Sequence, residues 1–427
     1  MQEDFLHYLW RFKKFDFIDL KTVDEKPVVL LDSGKANFNS GPDFFNAKLQ
    51  IEDQLWAGNV EIHIKSSDWY LHNHQQDVAY DNVILHVVWE NDADIFRKDN
   101  SKLPVVELKD RVSAETQSNY RSLLLAPNRK WINCENEFPE FSDFEVNNWL
   151  ERMYLEKLQQ KSELILALLS SSENDWEGTL FRLLCKNFGL NINGTAFLSL
   201  AQSFDFKILQ KIQKDQEKLE ALFFGQAGML DEKIEDPYFR QLQNEYKFLC
   251  RKYGLKNALV EPPKFFRLRP DNFPNIRLSQ LSVLYSQISH LFSRLLEAKD
   301  LEQIKELMQV GVSPYWKEHY TFEKPHKSRK KILSESFINL LIINTILPVK
   351  FCYFQKTGTG EVSEILNIME SIPAEENKLV QGFNKIRKST ATNAMQSQAL
   401  LYLKQNYCDK NACLNCNLGI KILQGTR

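Results

Sequence analysis

The hydrophobic pattern of the first 90 residues predicts one helix followed by a set of strands. In residues 3–15, large apolar side chains recur at spacings near three and four, which is typical of an amphipathic helix. Residues 28–31 are continuously apolar and residues 45–51 alternate between apolar and polar, as buried and half-buried strands do. Residues 55–65 and 82–89 predict two more strands, with a short helix between them. The predicted order is helix, strand, strand, strand, helix, strand.

Beyond about residue 125 the periodicity becomes helical. Ser142 and Glu145 have the spacing of a capping box, in which each side chain caps the backbone of the other residue. An apolar stripe at helical spacing follows them, a second covers residues 281–296, and a third helical region is predicted over residues 376–407. We therefore expect this half of the chain to be all-helical.

The two patterns together predict an α+β fold, with an α/β domain in residues 1–125 and a large all-α domain in residues 126–427. Hydrophobic residues make up 43% and charged residues 26%, which is enough to build cores and keep a polar surface. Lys and Arg number 54 against 56 Asp and Glu, so the whole chain is not a polycation. Any contact with nucleic acid must come from a local basic patch.

The cellular compartment is inferred from the N-terminus, the most apolar stretch and the cysteine content. The N-terminus carries Glu3 and Asp4 where a secretory signal would be basic. The most apolar stretch, residues 337–354, is interrupted by polar and charged residues and predicts a buried helix that leads into a loop or strand, not a membrane span. Seven cysteines in a long chain favour a reducing environment. We expect a cytoplasmic protein without a membrane partner, and the sequence does not define its oligomeric state.

Polar side chains concentrate on one face of the predicted strand at residues 55–65. Glu61, His63 and Lys65 are two apart and therefore share a face, opposite the apolar residues between them. If Asp43 lies at the end of the neighbouring strand, its carboxylate can approach that of Glu61, and such a pair can hold Mg²⁺ or Mn²⁺. His63 or Lys65 could then orient water or stabilise charge on a phosphate. The alternative is a turn at Asp43 and an ordinary solvated strand face.

This arrangement resembles the PD-(D/E)xK nuclease superfamily over about residues 1–95. Asp43 stands at the first motif, Glu61 at the acidic position of the second, and Glu3 at the helix acid of some members. The resemblance implies a restriction-endonuclease-like α/β core and metal-dependent hydrolysis of phosphodiesters, with DNA as substrate more than RNA. His63 occupies the position where the superfamily usually has Lys. That departure keeps open a non-catalytic nucleic-acid-binding or scaffold protein on a degenerate nuclease fold.

A second polar cluster follows directly, formed by His72, His74 and Asp77, with His86 on the next predicted strand. Imidazole can bind a metal ion or contact a phosphate. His72, His74 and Asp77 are therefore secondary candidates for the site and would support a different kind of metal hydrolase. The alternative is that they are hydrogen-bonded polar groups of a loop.

Three cysteines, Cys408, Cys413 and Cys416, lie within nine residues near the C-terminus. Pairs of cysteines separated by two residues are common ligands of Zn²⁺ and of iron–sulfur clusters, and both kinds of site normally need four ligands. We expect Cys134 to be the fourth. Some superfamily nucleases hold a [4Fe–4S] cluster in a similar pattern, although there the cysteines bracket the nuclease core. Zn²⁺ and three reduced thiols remain alternatives.

Basic and aromatic residues alternate in the segment that contains Arg267, Arg269 and Arg277. Such a mixture suits phosphate contacts and base stacking, and predicts binding of DNA or RNA. It equally suits a buried loop whose arginines bind carboxylates or the carboxyl ends of helices.

Over nearly its full length the sequence also resembles the bacterial family known as domain of unknown function 2851. Four segments and the terminal cysteines carry the resemblance: residues 39–44, 58–69, 223–228 and 267–278. The resemblance implies no activity, so function is argued from the sites.

Overall fold

The computed structural model describes residues 2–37, 39–125 and 130–425. The chain divides into two compact units. Unit 1 comprises residues 1–149 and 403–427, and unit 2 comprises residues 150–402. The predicted domain boundary, between residues 125 and 126, lies at the start of residues 126–129, which are outside the described residues.

Unit 1 is built on a curled mixed sheet, whose strands are β1 (Val28–Asp32), β2 (Lys35–Ala36), β3 (Phe44–Ile51), β4 (Gln54–Lys65), β5 (Val83–Glu90) and β6 (Val105–Glu107). The strand order is β1-β3-β4-β5-β6, and β2 pairs with β3. β3 and β4 form an antiparallel hairpin, whereas β4, β5 and β6 run parallel. The predicted order of elements is confirmed, with β2 as one additional short strand.

The two faces of the sheet differ in chemistry. Helix α1 (Glu3–Arg11) buries Phe5, Leu6, Leu9 and Trp10 in a core that includes Val60 and Ile62 of β4. The opposite face of β4 carries Glu61 and His63, both almost completely buried. Since alternate residues of a strand point to opposite faces, the apolar face fixes the position of the polar one.

Close packing between β4 and β5 requires glycine at position 58. A Cβ atom at Gly58 would lie 2.5 Å from Cγ2 of Ile84 and 2.6 Å from the carbonyl oxygen of Asn82. The register between β4 and β5 shifts between Asn59 and Val60, directly before the site residues.

The remaining described helices are α2 (Asp68–Leu71), α3 (Ala114–Leu124), α4 (Asp143–Ser170), α5 (Trp176–Phe188), α6 (Leu190–Gln202), α7 (Phe206–Ile212), α8 (Gln216–Gln226), α9 (Pro237–Tyr253), α10 (Pro274–Gln287), α11 (Leu291–Glu297), α12 (Leu301–Met308), α13 (Glu335–Leu341), α14 (Leu347–Thr357), α15 (Val362–Ser371), α16 (Lys378–Ile386), α17 (Ala394–Leu403) and α18 (Asn417–Leu423). Two π-helical segments follow α13 and α17, at Ile342–Ile346 and Lys404–Cys408. Unit 2 is helical throughout its described elements, so the chain as a whole is α+β.

The predicted capping box forms at the start of α4. The Ser142 N–H donates to Oε2 of Glu145 at 2.8 Å, and the Glu145 N–H donates to Oγ of Ser142 at 3.3 Å. Two longer helical predictions are corrected. The stripe at residues 281–296 is divided between α10 and α11 by a turn at His290, whose φ is 55°, and residues 376–407 divide between α16 and α17.

The segment Glu335–Thr357 is long and apolar enough to cross a membrane. In the structure, 72% of its most apolar window is buried inside the protein. The segment continues as helix through residues 347–357, where a loop or strand was expected.

Candidate functional site

The loop before β3 holds Asp43 in place. The side-chain amide of Asn37 donates to the carbonyl oxygens of Asn39, Ser40 and Pro42, at 3.0 to 3.1 Å. The β3–β4 register then shifts between Phe44 and Ala47. Such irregularities occur beside functional sites because they redirect side chains.

Two hydrogen bonds join Asp43 to β4 at Glu61 and its neighbour Ile62. The Asp43 N–H donates to Oε2 of Glu61 at 3.1 Å, and the Ile62 N–H donates to Oδ2 of Asp43 at 3.0 Å. These bonds fix the two carboxyl groups beside each other at the edge where β3 begins. The structure therefore brings together the two acids that the sequence singled out.

Helix α1 contributes two further groups. Nε2 of His7 lies 3.2 Å from Oδ2 of Asp43. Glu3 is one turn earlier on the same helix, and its pKa is raised by burial and by the charge of Asp43. Burial opposes a charge on His7, but the hydrogen bond and the charge of Asp43, together with Glu3, raise the His7 pKa overall.

Glu61 carries the most perturbed carboxyl group of this site. Burial, and then the negative charge of Asp43, raise the pKa of Glu61 to about 9. The carboxyl group therefore keeps a proton at neutral pH unless a cation neutralises the site.

Two histidines lie beside Glu61 on the polar face of the sheet, and two more contact the ring of His63. Nε2 of His74 and Nε2 of His63 lie 3.3 and 3.6 Å from Oε1 of Glu61. Nε2 of His63 also lies 3.0 Å from Nδ1 of His72, while its Nδ1 lies 2.8 Å from Nε2 of His86. Ligand atoms of His63, His72 and His74 all lie within 4.8 Å of one another.

His63, His74 and His86 are neutral because they are buried. Burial, and then the neighbouring imidazoles, lower the pKa of His63 to about 2. Burial also lowers the pKa of His74. Burial lowers the pKa of His86 to about 3. Tyr80 stacks on the ring of His74 with a centroid separation of 3.8 Å. Neutral imidazoles are the form that binds metal ions.

Two sequence-predicted residues lie at the margin of this cluster. The Lys65 ammonium is more than half exposed and lies 3.9 Å from Oδ2 of Asp92. Asp77 is exposed and caps a short turn by accepting the Ala79 N–H at 2.9 Å. Its charge nevertheless acts to raise the pKa of His74.

The four cysteines of the predicted cluster lie close enough to affect one another. Burial raises the pKa of Cys134, and the sulfurs of Cys416, Cys408 and Cys413 raise it further. Burial and the neighbouring thiols also raise the pKa of Cys408 to about 12. Cys134 therefore lies near the three C-terminal cysteines in unit 1, although among the described residues it is His63, His72 and His74 that place three ligand atoms within 4.8 Å of one another.

Hydrogen-bond donors point at these sulfurs. The Asn133 side-chain amide donates to Sγ of Cys413 at 3.4 Å. Backbone N–H groups of Leu418 and Gly419 donate to the Cys416 sulfur. Donors of this kind stabilise thiolates and are common around metal-bound cysteines.

A cavity of about 200 Å³ connects the acidic site with the cysteine loop. Its lining includes His7 and Asp43 on one side and Ala412, Leu414 and Asn415 of the cysteine loop on the other. The residues on both sides of Cys413 therefore form part of the wall beside Asp43.

The three arginines predicted to contact nucleic acid lie in unit 2 in different environments. Arg267 is exposed, has a φ of 65° and covers the ring of Phe266. Arg269 is exposed and Arg277 is only 6% exposed, and both line one cleft.

Sequence reasoning missed His7 and gave no role to His86. His7 follows Glu3 by four residues, so both lie on one face of α1, and this helical spacing is the signal that could have found it. His86 lies directly opposite Glu61 in the parallel β4–β5 register, which only the strand pairing reveals.

Comparison with known proteins gives one family. The model of the family described as "Protein of unknown function (DUF2851)" matches residues 3–378. No curated protein and no solved structure shows significant similarity to the chain.

Proposed function

We propose that this chain, which belongs to the DUF2851 family, is a metal-dependent phosphodiesterase that cleaves nucleic acid. The observation that carries the proposal is the pairing of Asp43 with the buried Glu61, beside the neutral imidazoles of His63 and His74. Two adjacent carboxyl groups, one of them buried, favour a bound cation, since a cation offsets both the burial and the negative charge of Asp43 that otherwise keep Glu61 protonated.

The donor set favours a transition ion over Mg²⁺. Carboxylate oxygens suit Mg²⁺ and Mn²⁺, whereas imidazole nitrogens suit Fe²⁺ and Zn²⁺, and Mn²⁺, as a transition ion, accepts such nitrogens more readily than Mg²⁺ does. Asp43 and Glu61 would hold the ion from the strand side, with His63, His72 and His74 as nitrogen ligands and Glu3 as a further acid. Such an ion supplies a Lewis acid and activates water. Among Mg²⁺ and Mn²⁺, we therefore propose Mn²⁺.

The chain's own residues supply the remaining functions. His7 has a raised pKa and contacts Asp43, so its imidazolium can donate a proton or a hydrogen bond to a phosphate oxygen in the adjoining cavity. The superfamily lysine is replaced by His63, which is neutral. In this proposal His7, on α1, supplies the positive charge that the lysine on the strand supplies in the superfamily. DNA is proposed as substrate over RNA on the nuclease resemblance of the first 95 residues.

The cysteines would form a separate metal site that supports the cavity. Four thiols gather beside Asn133 and two backbone donors, and the loop that they anchor lines the cavity at Asp43. We propose a [4Fe–4S] cluster or Zn²⁺ there, with a structural role. Either group would fix Ala412 and Leu414 against α1.

The test is cleavage of plasmid DNA, single-stranded DNA and RNA by anaerobically purified protein, first treated with chelator and then given Mn²⁺, Mg²⁺ or Zn²⁺. Asp43→Asn and Glu61→Gln should each remove cleavage. Asp53→Asn is the matched control, because Asp53 is an exposed acid in the β3–β4 turn. Cleavage that survives both site variants would refute the proposal.

The alternative is a non-catalytic binding or scaffold protein on the same fold. Its supporting observation is the absence of a superfamily lysine at position 63, with Lys65 beside Asp92. This alternative predicts that the wild type binds Mn²⁺ or nucleic acid but cuts none of the substrates.

A further inference from the structure

A cleft in unit 2 concentrates positive charge. It encloses about 510 Å³ and is lined by five basic residues from three segments: Arg269, Arg277, Arg329, Lys330 and Lys331. Asp271 is the single carboxylate among the described residues of the lining. The lining therefore carries an excess of four positive charges.

The one acid is already engaged. Oδ1 of Asp271 accepts a hydrogen bond from the Tyr320 hydroxyl at 2.9 Å, and its Oδ2 lies 4.0 Å from Arg329. The ammonium of Lys331 lies 3.6 Å from the centre of the Tyr320 ring and donates to the carbonyl oxygen of His319. Neither of these contacts reaches the guanidinium of Arg277.

Arg277 lies at the inner wall of the cleft and is 6% exposed. Its two hydrogen-bond partners are the side-chain amide oxygens of Gln280 and Asn272, at 2.9 and 2.6 Å. Nε of Arg277 is buried and has no hydrogen-bond partner. The guanidinium stacks on Phe337, 3.6 Å from the centre of the ring.

A buried guanidinium normally binds a carboxylate or another anion. Burial lowers the pKa of Arg277 to about 10, which still leaves the group charged at neutral pH. Burying such a charge is costly unless an opposite charge compensates it. The charge of Asp271 acts on Arg277 without contacting it, and this charge and the two neutral amides compensate only in part. The site therefore suits an additional anion that would pair with the Arg277 guanidinium.

We propose that this cleft binds a phosphate group, with Arg277 as its buried anchor and Arg269 and Arg329 at its mouth. The planar guanidinium offers donors in a fork that matches two phosphate oxygens, and three arginines are a typical recognition set for phosphate esters. The volume leaves room beyond the phosphate for the group that it esterifies. The proposal does not depend on the proposed nuclease, whose residues lie in unit 1.

The first experiment measures binding of inorganic phosphate to the full chain by calorimetry, against chloride at equal ionic strength. The double variant Arg269→Gln/Arg329→Gln should weaken phosphate binding roughly ten-fold or more. Arg267→Gln/Lys327→Gln removes the same charge from exposed positions outside the cleft lining and should bind like the wild type. No phosphate binding by the wild type, or equal weakening in both double variants, would overturn the proposal.

A second variant tests the buried anchor. Arg277→Met keeps an apolar group on Phe337 and removes the buried charge, so the unliganded protein should unfold at a similar temperature. The increase in melting temperature that phosphate gives the wild type should disappear. If phosphate stabilises Arg277→Met as much as the wild type, Arg277 is not the anchor. If this variant does not fold, the exposed double variants still decide the question.

Competition identifies the source of the phosphate. If the ligand is a small phosphate ester, a nucleoside 5′-monophosphate and an oligonucleotide should displace inorganic phosphate equally strongly. Much stronger displacement by a single-stranded oligonucleotide, lost in Arg269→Gln/Arg329→Gln, would identify a nucleic-acid strand instead. Asp43→Asn should leave both results unchanged, so failure of the nuclease and failure of the phosphate cleft remain distinguishable.

Discussion

Nδ1 of His63 lies 2.8 Å from Nε2 of His86, and the His86 ring is completely buried between the sheet and Trp69. One proton must lie between these two nitrogens for a hydrogen bond to form. If His63 carries it, Nε2 of His63 presents a lone pair toward Glu61. His86 therefore sets the orientation and tautomer of His63, on which the proposed role of His63 as a metal ligand depends.

Replacing His86 should weaken metal binding without touching a ligand. His86→Phe removes the acceptor for His63, and we expect affinity for Mn²⁺ or Zn²⁺ to fall roughly 10- to 100-fold. His86→Gln restores an acceptor oxygen and should recover part of this loss. Calorimetric titration of the chelator-treated protein measures both. Equal affinity in the wild type and His86→Phe would exclude this orienting role.

Lys65 and His63 should differ in their effects although they share a strand face. Lys65→Ala removes an exposed ammonium near Asp92 and should leave Mn²⁺ affinity and cleavage within about two-fold of wild type. His63→Ala removes a nitrogen beside Glu61 and should lower metal affinity at least ten-fold. A large loss of cleavage in Lys65→Ala would instead support the lysine role that the sequence suggested.

The cysteine site has a spectroscopic test. Anaerobically purified protein should contain iron with visible absorption, or one equivalent of zinc, and Cys413→Ser should lose either. Cys250→Ser is the control, because Cys250 is a half-buried thiol of unit 2. Wild-type protein without bound metal would show that the four thiols are reduced and structural only.

Gly225 should not tolerate a side chain. A Cβ atom there would lie 2.2 Å from the ring of Tyr246, so Gly225→Ala must displace α9 or the ring. We expect the free energy of unfolding to fall by about 1–3 kcal/mol. At Gly311 an added Cβ meets its nearest atom at 3.8 Å, and Gly311→Ala should be nearly neutral. Urea denaturation of both variants provides the comparison.

A buried lysine makes the stability of unit 2 depend on pH. Burial, and then the charge of Lys157, lower the pKa of Lys161 to about 7, from 10.5 in the unfolded chain. Between these values the unfolded chain binds the additional proton, so stability rises with pH from about 7 to about 10. The slope due to this group is at most about 1.4 kcal/mol per pH unit.

Lys161→Met should remove that slope and stabilise the protein most at the acidic end of the range. The Lys161 ammonium donates to Oδ1 of Asn344 at 3.1 Å, and this bond is the one the variant loses. Denaturant midpoints of the wild type and the variant, measured across the same pH series, isolate the effect. A constant difference between them at every pH would contradict the prediction.

The strands of unit 1 were predictable because each buries one face. Alternation placed the strand of residues 45–51 within one residue of β3, and the same alternation put Glu61 and His63 on one side of β4. Helix ends in unit 2 were less predictable. The stripe at residues 281–296 keeps its apolar period through the turn at His290. Periodicity alone therefore does not predict that α10 ends and α11 begins there.

Long-range pairings account for the parts of the site that the sequence did not reveal. His86 meets His63 only because β5 runs parallel to β4 in one particular register. Asn133 reaches Cys413 across 280 residues of chain, a proximity that spacing cannot encode. The proximity of Glu3 and His7, in contrast, is predictable from local spacing, because residues four apart lie on the same face of a helix.

The return of residues 403–425 to unit 1 has a consequence for how the protein is made. Ala412 and Leu414, which line the cavity beside Asp43, are synthesised after every residue of unit 2. While the ribosome is still translating unit 2, the residues of the sheet and its acids have been synthesised, but the residues of this wall have not. The cavity beside Asp43 can therefore be completed only after unit 2 has been translated.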